Sequence, residues 1–306
     1  MRFLLVLAAA GLLSAQTPAL TPGVLPQSFR SGGPNCLAVP DWQVHAYNDD
    51  FYILRESGCT NYEKPFLYLI FGNDFALLED TGAGKVDTAA EVTALIEKWA
   101  RLKKRAPVPL IVIHSHGHGD HIAGDKALQT LSGVRFIAAT PEAISQAASI
   151  SKWPETPGQI DLGGRILDVL PIPGHQAASI ALYDRATGVL LTGDSLYPGR
   201  LYVNSTDVPV FAASITRLAD FVRTHPIAHV LGTHIEQSAT PYVDYPTGTL
   251  YQPEEHALAL TRAHVLELAE AVNSIKDKPV PVALPDFTVA VRSATPRQPK
   301  PPAQSP

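Results

Sequence analysis

Short apolar blocks recur along the chain, and most of them end at a turn-forming residue. Residues 66–71 and 75–78 are two such blocks, and the segment 72–74 (Gly-Asn-Asp) between them predicts a hairpin. Residues 110–113 (Leu-Ile-Val-Ile) are apolar throughout, which is typical of a strand buried on both faces. Other blocks predict further strands at 42–55, 160–172, 179–183, 189–191 and 228–231.

Between the predicted strands, the apolar residues change to helical spacing. Residues 87–104 are predicted to form a helix that Asp87 caps and that Pro107 and Pro109 end. Its apolar face consists of Val92, Leu95, Ile96, Trp99 and Leu102. Residues 211–223 and 253–275 are also predicted to be helical. Strands that alternate with helices, in two halves of similar make-up, indicate an α/β layered domain.

Composition excludes some classes of protein. The 306 residues are 45% hydrophobic and 17% charged, a balance typical of a folded globular chain and not of a disordered one. The formal net charge is −5, and no run of Lys and Arg forms a basic stripe. Because phosphate binding needs a concentrated positive surface, a nucleic-acid partner is disfavoured and a small-molecule substrate is expected.

The N-terminus resembles an export signal. Arg2 provides a positive start, residues 3–13 are apolar, and Ser14 and Ala15 are small residues suited to cleavage. The apolar run is too short to span a bilayer, which takes about 20 residues, so stable membrane insertion is not expected. The alternative is an ordinary buried helix. If the run is a signal, the mature protein is secreted or periplasmic.

The resulting domain organisation has four parts. It comprises a signal peptide (1–15), a Pro/Gly-rich lead-in (16–40), a catalytic domain (41–276) and a Pro-rich C-terminal tail (277–306). The tail carries eight prolines, although residues 287–291 could add one edge strand.

Two cysteines are present, Cys36 and Cys59. In an oxidising compartment they could form a disulfide, and the alternative is two unpaired buried thiols. Both lie far along the chain from the His/Asp residues described next, so a thiolate metal ligand is not expected.

Residues 116–121 (His-Gly-His-Gly-Asp-His) carry the strongest chemical signal. Four potential metal ligands follow a predicted buried strand directly, and packing does not explain them, because burying unpaired imidazole and carboxylate is costly. The two glycines let the backbone turn tightly enough to direct neighbouring side chains to different points. Imidazole and carboxylate suit zinc or iron better than calcium or magnesium.

One tight turn cannot complete two metal sites, and three further candidates follow other predicted strands. His175 lies in a Pro-Gly-His segment, Asp194 in Thr-Gly-Asp and His234 in Gly-Thr-His. In α/β proteins, functional sites are usually built at strand ends along one edge of a sheet. The sequence therefore predicts a centre to which all these segments contribute.

The combination of these four segments resembles the metallo-β-lactamase superfamily, over about residues 66–235. The segment 80–82 (Asp-Thr-Gly) is also similar to an early turn of that family. The resemblance implies a four-layer αβ/βα sandwich that holds two Zn²⁺ ions per chain at one edge. In the implied ligand set, the first zinc is held by His116, His118 and His175, the second by Asp120, His121 and His234, and Asp194 bridges the two.

Differences within the superfamily narrow the implied chemistry. Oxygen-reducing di-iron relatives have Glu in place of His118, so redox chemistry is disfavoured. A bridging aspartate such as Asp194 resembles the pattern of glyoxalase II thioesterases, acyl-homoserine lactonases and nuclease or phosphodiesterase branches. We therefore expect an exported zinc hydrolase that cleaves an ester, lactone, thioester or amide with metal-bound hydroxide. The alternatives are a β-lactamase, a phosphodiesterase or sulfatase, and a non-catalytic zinc-binding protein.

Two residues are expected to act in the reaction itself. Asp120 is suited to orient the nucleophile and to pass a proton to the leaving group. Tyr197 resembles the lactonase tyrosine whose hydroxyl supports the substrate carbonyl, and the alternative is a tyrosine that only packs. The long stretch 236–256 is either a substrate wall or a packed surface excursion. The sequence does not decide the oligomeric state.

Overall fold

The computed structural model describes residues 19–29 and 39–293. The predicted signal peptide and Cys36 lie outside these ranges, so the export signal and the Cys36–Cys59 disulfide stay predictions. Within the described ranges, we find no helix with the length and apolar character needed to cross a bilayer.

Strands and helices alternate along the chain. The strands are β1 (Trp42–Asn48), β2 (Phe51–Glu56), β3 (Phe66–Phe71), β4 (Ala76–Glu79), β5 (Leu110–Ile113), β6 (Val134–Phe136), β7 (Gly158–Asp161), β8 (Ile166–Pro171), β9 (Ile180–Asp184), β10 (Val189–Leu191), β11 (Arg200–Asn204), β12 (His229–Leu231), β13 (Ala259–Leu260), β14 (Val282–Ala283) and β15 (Thr288–Arg292). The helices are α1 (Thr88–Leu102), α2 (Gly119–Ile122), α3 (Asp125–Leu128), α4 (Pro141–Ala148), α5 (Val208–Thr224) and α6 (Arg262–Ile275).

Two mixed sheets form the centre of the protein. The first has the strand order β1-β2-β3-β4-β5-β6, antiparallel as far as β4 and parallel from β4 to β6. The second has the order β13-β12-β10-β9-β8-β7, in which β10 and β12 are parallel. Apolar side chains from both sheets meet in a shared core that includes Ile111, Leu182 and Leu231.

Helices cover the outer face of each sheet. Val92 and Trp99 of α1 pack with Leu128 of α3 against the first sheet. Residues of α5 and α6, including Ile215 and Leu268, pack against the second sheet. The layers therefore run helix, sheet, sheet, helix, and the predicted four-layer αβ/βα sandwich is confirmed.

The two predicted helices that agree with the structure have clear local signals. Asp87 caps α1 by accepting a hydrogen bond from the backbone N–H of Ala90. The helix predicted at 211–223 is α5, which begins slightly earlier.

The helix predicted at 253–275 begins only at Arg262, after the capping residue Thr261. Residues 253–261 instead form a turn, an isolated bridge at Glu255 and the short strand β13, and tertiary contacts hold them there. Arg55 binds the Glu255 carboxylate through both terminal guanidinium nitrogens at 2.6 Å, and the N–H of His256 donates to the carbonyl of Gln237. Helical periodicity alone cannot reveal these distant partners.

The C-terminal tail also differs from its prediction. The structured domain continues past 276, because β15 lies between β11 and β14 in a third sheet and is not an edge strand. Phe287 and Val289 are fully buried there. The parallel pairing of β15 with β11 ties the tail to the segment that follows Asp194.

Candidate metal centre

Loops that follow β5, β8, β10 and β12 converge at one edge of the sandwich. Two glycines make this approach possible. Gly174 has φ +148°, and a Cβ there would lie 2.5 Å from Cβ of Phe211. Gly193 has φ +51°, and a Cβ there would lie 2.7 Å from that of Ser115. A side chain at Gly174 would push the His175 segment away from α5, and one at Gly193 would push the Asp194 segment away from Ser115 and His116.

The structure brings three histidines and one aspartate into a first group. His118 Nδ1 lies 2.9 Å from both His116 Nε2 and His175 Nε2, and the last two atoms are 3.2 Å apart. Asp194 Oδ2 lies 3.7 Å from His116 Nε2 and 3.5 Å from His175 Nε2.

A second group lies next to the first and shares Asp194 with it. Its His121 Nε2 and His234 Nε2 are 3.4 Å apart. Asp120 Oδ2 lies 3.1 Å from the former and 3.3 Å from the latter. Asp194 Oδ1 lies 3.5 Å from His121 Nε2 and 3.2 Å from His234 Nε2. All seven residues predicted as ligands are therefore in two adjacent groups, with one carboxylate oxygen of Asp194 facing each.

These spacings, from 2.9 to 3.7 Å, match those of ligand atoms around a shared metal ion. Zinc–nitrogen bonds of about 2.0–2.1 Å in a tetrahedron place neighbouring ligand atoms about 3.3 Å apart. Four of the histidines turn their Nδ1 to an oxygen: His116 to Ser115 Oγ, His121 to Asp80 Oδ2, His175 to the carbonyl of Tyr202, and His234 to the carbonyl of Glu63. If Nδ1 donates in each, the Nε2 lone pairs point at one another. Such an arrangement needs a cation between them.

Electrostatics indicate the same need for positive charge. Burial acts to raise the pKa of Asp120, but hydrogen bonds from His121 and His234 outweigh it and hold that pKa well below its ordinary value. For His121, burial acts to lower the pKa, yet Asp80 and Asp194 raise it well above the ordinary value. Burial and His121 lower the pKa of His116. Burial also acts to raise the pKa of Asp194, but His234 and His121 hold it well below its ordinary value. Both carboxylates are therefore ionised, and positive charge next to them is strongly favoured.

Asp80 is a functional residue whose role the sequence did not reveal. Its side chain is fully buried, and it accepts hydrogen bonds from the backbone N–H of Ser115 at 2.8 Å and from its hydroxyl at 2.7 Å. The same carboxylate lies 2.7 Å from Nδ1 of His121. The resemblance of the Asp-Thr-Gly segment pointed to this turn. Only the fold shows that Asp80 orients His121 directly and His116 through Ser115.

Tyr197 lies beside the centre but is engaged elsewhere. Its hydroxyl donates to the carbonyl of Arg200 at 2.5 Å and lies 3.1 Å from Glu236 Oε2. The side chain is 2% exposed, and burial together with Glu236 raises its pKa well above the ordinary value. Its ring packs edge-on against His234. This geometry favours the packing alternative over contact with a substrate carbonyl.

The stretch 236–256 is tied firmly to the rest of the domain. Arg55 pairs with Glu255, and their side chains are 0% and 5% exposed. The Lys64 ammonium donates to the carbonyl of Thr249 at 2.9 Å. Arg200 donates to the carbonyl of Tyr245. These contacts anchor the stretch 236–256 to the domain surface. A role of this stretch as a substrate wall stays a prediction.

Comparisons with known proteins agree with this geometry. The family model of the metallo-beta-lactamase superfamily matches residues 65–253, more than half of the chain. The chain is 31% identical over 219 residues to the hydroxyacylglutathione hydrolase of Stenotrophomonas maltophilia (strain R551-3), covering 68% of this chain and 77% of that protein. It is 23% identical over 230 residues to the acyl-coenzyme A thioesterase MBLAC2 of Homo sapiens, covering 63% and 81%.

Among solved structures, a metallo beta lactamase from Hirschia baltica matches with a TM-score of 0.50. The match covers 76% of this chain and 98% of that chain at 16% identity. It is a likeness of fold.

Proposed function

Because the chain belongs to the metallo-beta-lactamase superfamily, we propose that it is an exported hydrolase that binds two zinc ions. Its substrate is a small molecule with an ester, lactone, thioester or amide bond. The observation that carries the proposal is the convergence of seven ligand side chains in two groups that share Asp194. The names of the two relatives, a hydroxyacylglutathione hydrolase and an acyl-coenzyme A thioesterase, support acyl chemistry.

Zinc ions bound in these groups would make water acidic enough to lose a proton near neutral pH and would polarise the substrate carbonyl. The chain's own residues provide the positioning. Asp194 presents one oxygen to each group, and Thr233 holds it by donating a hydrogen bond to Oδ1. Asp80 fixes the ring of His121 through Nδ1.

Asp120 is the carboxylate that we assign to proton transfer. Its side chain is 22% exposed, whereas that of Asp194 is 11% exposed, so Asp120 is the more accessible of the two to water and substrate. His121 Nε2 and His234 Nε2 lie 3.1 and 3.3 Å from its Oδ2 and hold that oxygen in place. An ionised carboxylate can accept a proton from the attacking water and deliver it to the leaving group.

Substitution of Asp120→Asn tests this assignment. Asparagine keeps the shape but cannot accept the proton, so we expect kcat to fall about 10²–10⁴-fold while KM changes little. Zinc content is measured in the same preparation, so that loss of metal is separated from loss of proton transfer.

Asp286→Asn is a matched control. The Asp286 carboxylate also lies between two imidazoles, at 3.1 Å from His256 Nε2 and 3.0 Å from His264 Nε2, and is 29% exposed. Its substitution should leave kcat unchanged. A normal kcat in Asp120→Asn with two zinc ions bound would remove the assignment of proton transfer to Asp120, whereas no turnover by the wild type on any substrate would favour a non-catalytic zinc-binding protein.

The substrate class and the metal are tested together. Purified protein loaded with zinc is assayed against thioesters, lactones, β-lactams, phosphodiesters and sulfate esters, with thioesters first because of the relatives' names. Elemental analysis should give two zinc ions per chain. Export is tested by sequencing the N-terminus of the mature protein, which should begin near Gln16.

A further inference from the structure

A cavity of about 600 Å³ opens beside His118 and His175 of the first group. Its volume is within the range typical of small-molecule sites. It lies between the region of α4 and the residues that follow it, on one side, and the start of α5 on the other. The cavity shares His118 and His175 with the metal centre, and the rest of its lining does not belong to that centre.

The lining of this cavity is largely apolar. Pro141, Trp153, Pro154 and Val210 contribute apolar surface, and the single charged residue in the lining besides the histidines is Asp207. No Lys or Arg lines it, and every lining residue is in the described part of the chain. Away from the metal centre, a carboxylate or phosphate in this cavity would meet the negative charge of Asp207 and no cationic side chain, whereas an alkyl group would be desolvated favourably.

The position of the cavity relative to Asp120 decides which half of the substrate occupies it. Asp120 belongs to the second group, with His121 and His234, and it protonates the leaving group under the proposed function. The leaving group therefore lies on the side of the second group. The acyl group lies on the opposite side, toward His118 and His175, where the cavity opens.

We propose that this cavity binds the acyl chain of the substrate and selects chains that are apolar and uncharged. The proposal rests on the proposed function, since it assumes cleavage of an acyl bond. Trp153 and Val210 determine the selectivity. Each methylene buried in the cavity is worth about fourfold in kcat/KM.

The test keeps one leaving group and varies the acyl chain. Zinc-loaded protein is assayed with 4-nitrophenyl acetate, butyrate and hexanoate. It is also assayed with a charged pair, 4-nitrophenyl hemisuccinate and pentanoate. We expect kcat/KM to rise at least about tenfold from acetate to hexanoate, since four methylenes are added. The hemisuccinate should react at least about tenfold more slowly than the pentanoate, because its carboxylate faces Asp207.

Two variants locate the selectivity. Trp153→Ala should reduce the rise of kcat/KM with the length of the acyl chain. Val210→Arg places a cation at the cavity and should raise the hemisuccinate-to-pentanoate ratio at least about fivefold. Val280→Arg is the matched control, because Val280 is 45% exposed and Val210 is 48% exposed, and Val280 does not line the cavity. Val210→Arg also covers the case in which Trp153→Ala fails to fold, since Val210 is on the surface.

Binding of an uncleavable ketone separates the two proposals. Octan-2-one should raise Tm more than butan-2-one in the wild type, and this difference should be lost in Trp153→Ala. Hydrolysis with no dependence on chain length, or an unchanged charge ratio in folded Val210→Arg, overturns the acyl-cavity proposal and leaves the hydrolase. Selective ketone binding without hydrolysis of any ester, lactone, thioester or amide overturns the proposed function and, with it, the acyl role of the cavity.

Discussion

Replacing Asp80 by asparagine changes a residue that orients the ligands and leaves all seven ligand side chains in the chain. Asp80 has φ +66°, a backbone conformation that asparagine also tolerates, so the substitution adds little strain. Size and shape are kept as well. What changes is the charge of the group that His121 and Ser115 contact.

The expected loss follows from these contacts. The hydrogen bond between His121 Nδ1 and Asp80 Oδ2 is 2.7 Å long and fully buried, and it fixes which nitrogen of the ring faces the centre. Loss of such an outer partner typically costs 10–100-fold in metal affinity, which corresponds to about 1.4–2.7 kcal/mol. We expect the affinity for the second zinc ion to fall by this factor, since His121 belongs to the second group.

The assay is competition for zinc with a chelating dye, followed by kcat at saturating zinc. Activity should recover when zinc is in excess, because the ligands themselves remain. Asp168→Asn is the control: Asp168 is also a buried carboxylate, 6% exposed, and Arg185 contacts both its oxygens at 2.6 and 2.8 Å. That variant should lose stability but not zinc affinity. Unchanged affinity for both ions in folded Asp80→Asn would refute the reasoning.

Three further outcomes are expected. His116→Ala should leave one zinc per chain by elemental analysis, because the first ion would keep only His118, His175 and the shared Asp194. Arg55→Met should lower the free energy of unfolding in urea by about 3–5 kcal/mol, since it leaves the Glu255 carboxylate buried and unpaired; a loss below 1 kcal/mol would contradict this. Burial lowers the pKa of Lys64 to about 8, below its ordinary 10.5. Between those two values the unfolded chain holds a proton that the folded chain has released, so stability relative to Lys64→Met should rise with pH across this window. Urea unfolding at pH 7.5 and 9.5 measures the change, and a fall would contradict the assignment.

Much of the candidate centre could be predicted from sequence because several of its metal ligands are close neighbours along the chain. The run 116–121 concentrates imidazole and carboxylate in a way that packing does not require. His175, Asp194 and His234 each follow an apolar block, and the sheet brings strand ends together. These residue types and positions were sufficient to select the seven side chains that the fold assembles.

Local signals also predicted elements whose stability is largely internal. The hairpin of β3 and β4 follows from two apolar blocks around a tight turn, and α1 follows from its cap and its apolar face. In each, the residues that decide the structure are neighbours in sequence, so their pattern is visible before folding.

Tertiary structure decided the features that depend on distant partners. The helical pattern at 253–261 yields to contacts such as the ion pair of Glu255 with Arg55, 200 residues away. Residues 288–292 become an inner strand because β11 and β14 flank them. The hydroxyl of Tyr197 is directed to Arg200 and Glu236. A sequence pattern indicates which side chains favour burial or metal binding. The partner of a hydrogen bond or of a strand is decided only when remote segments pack together.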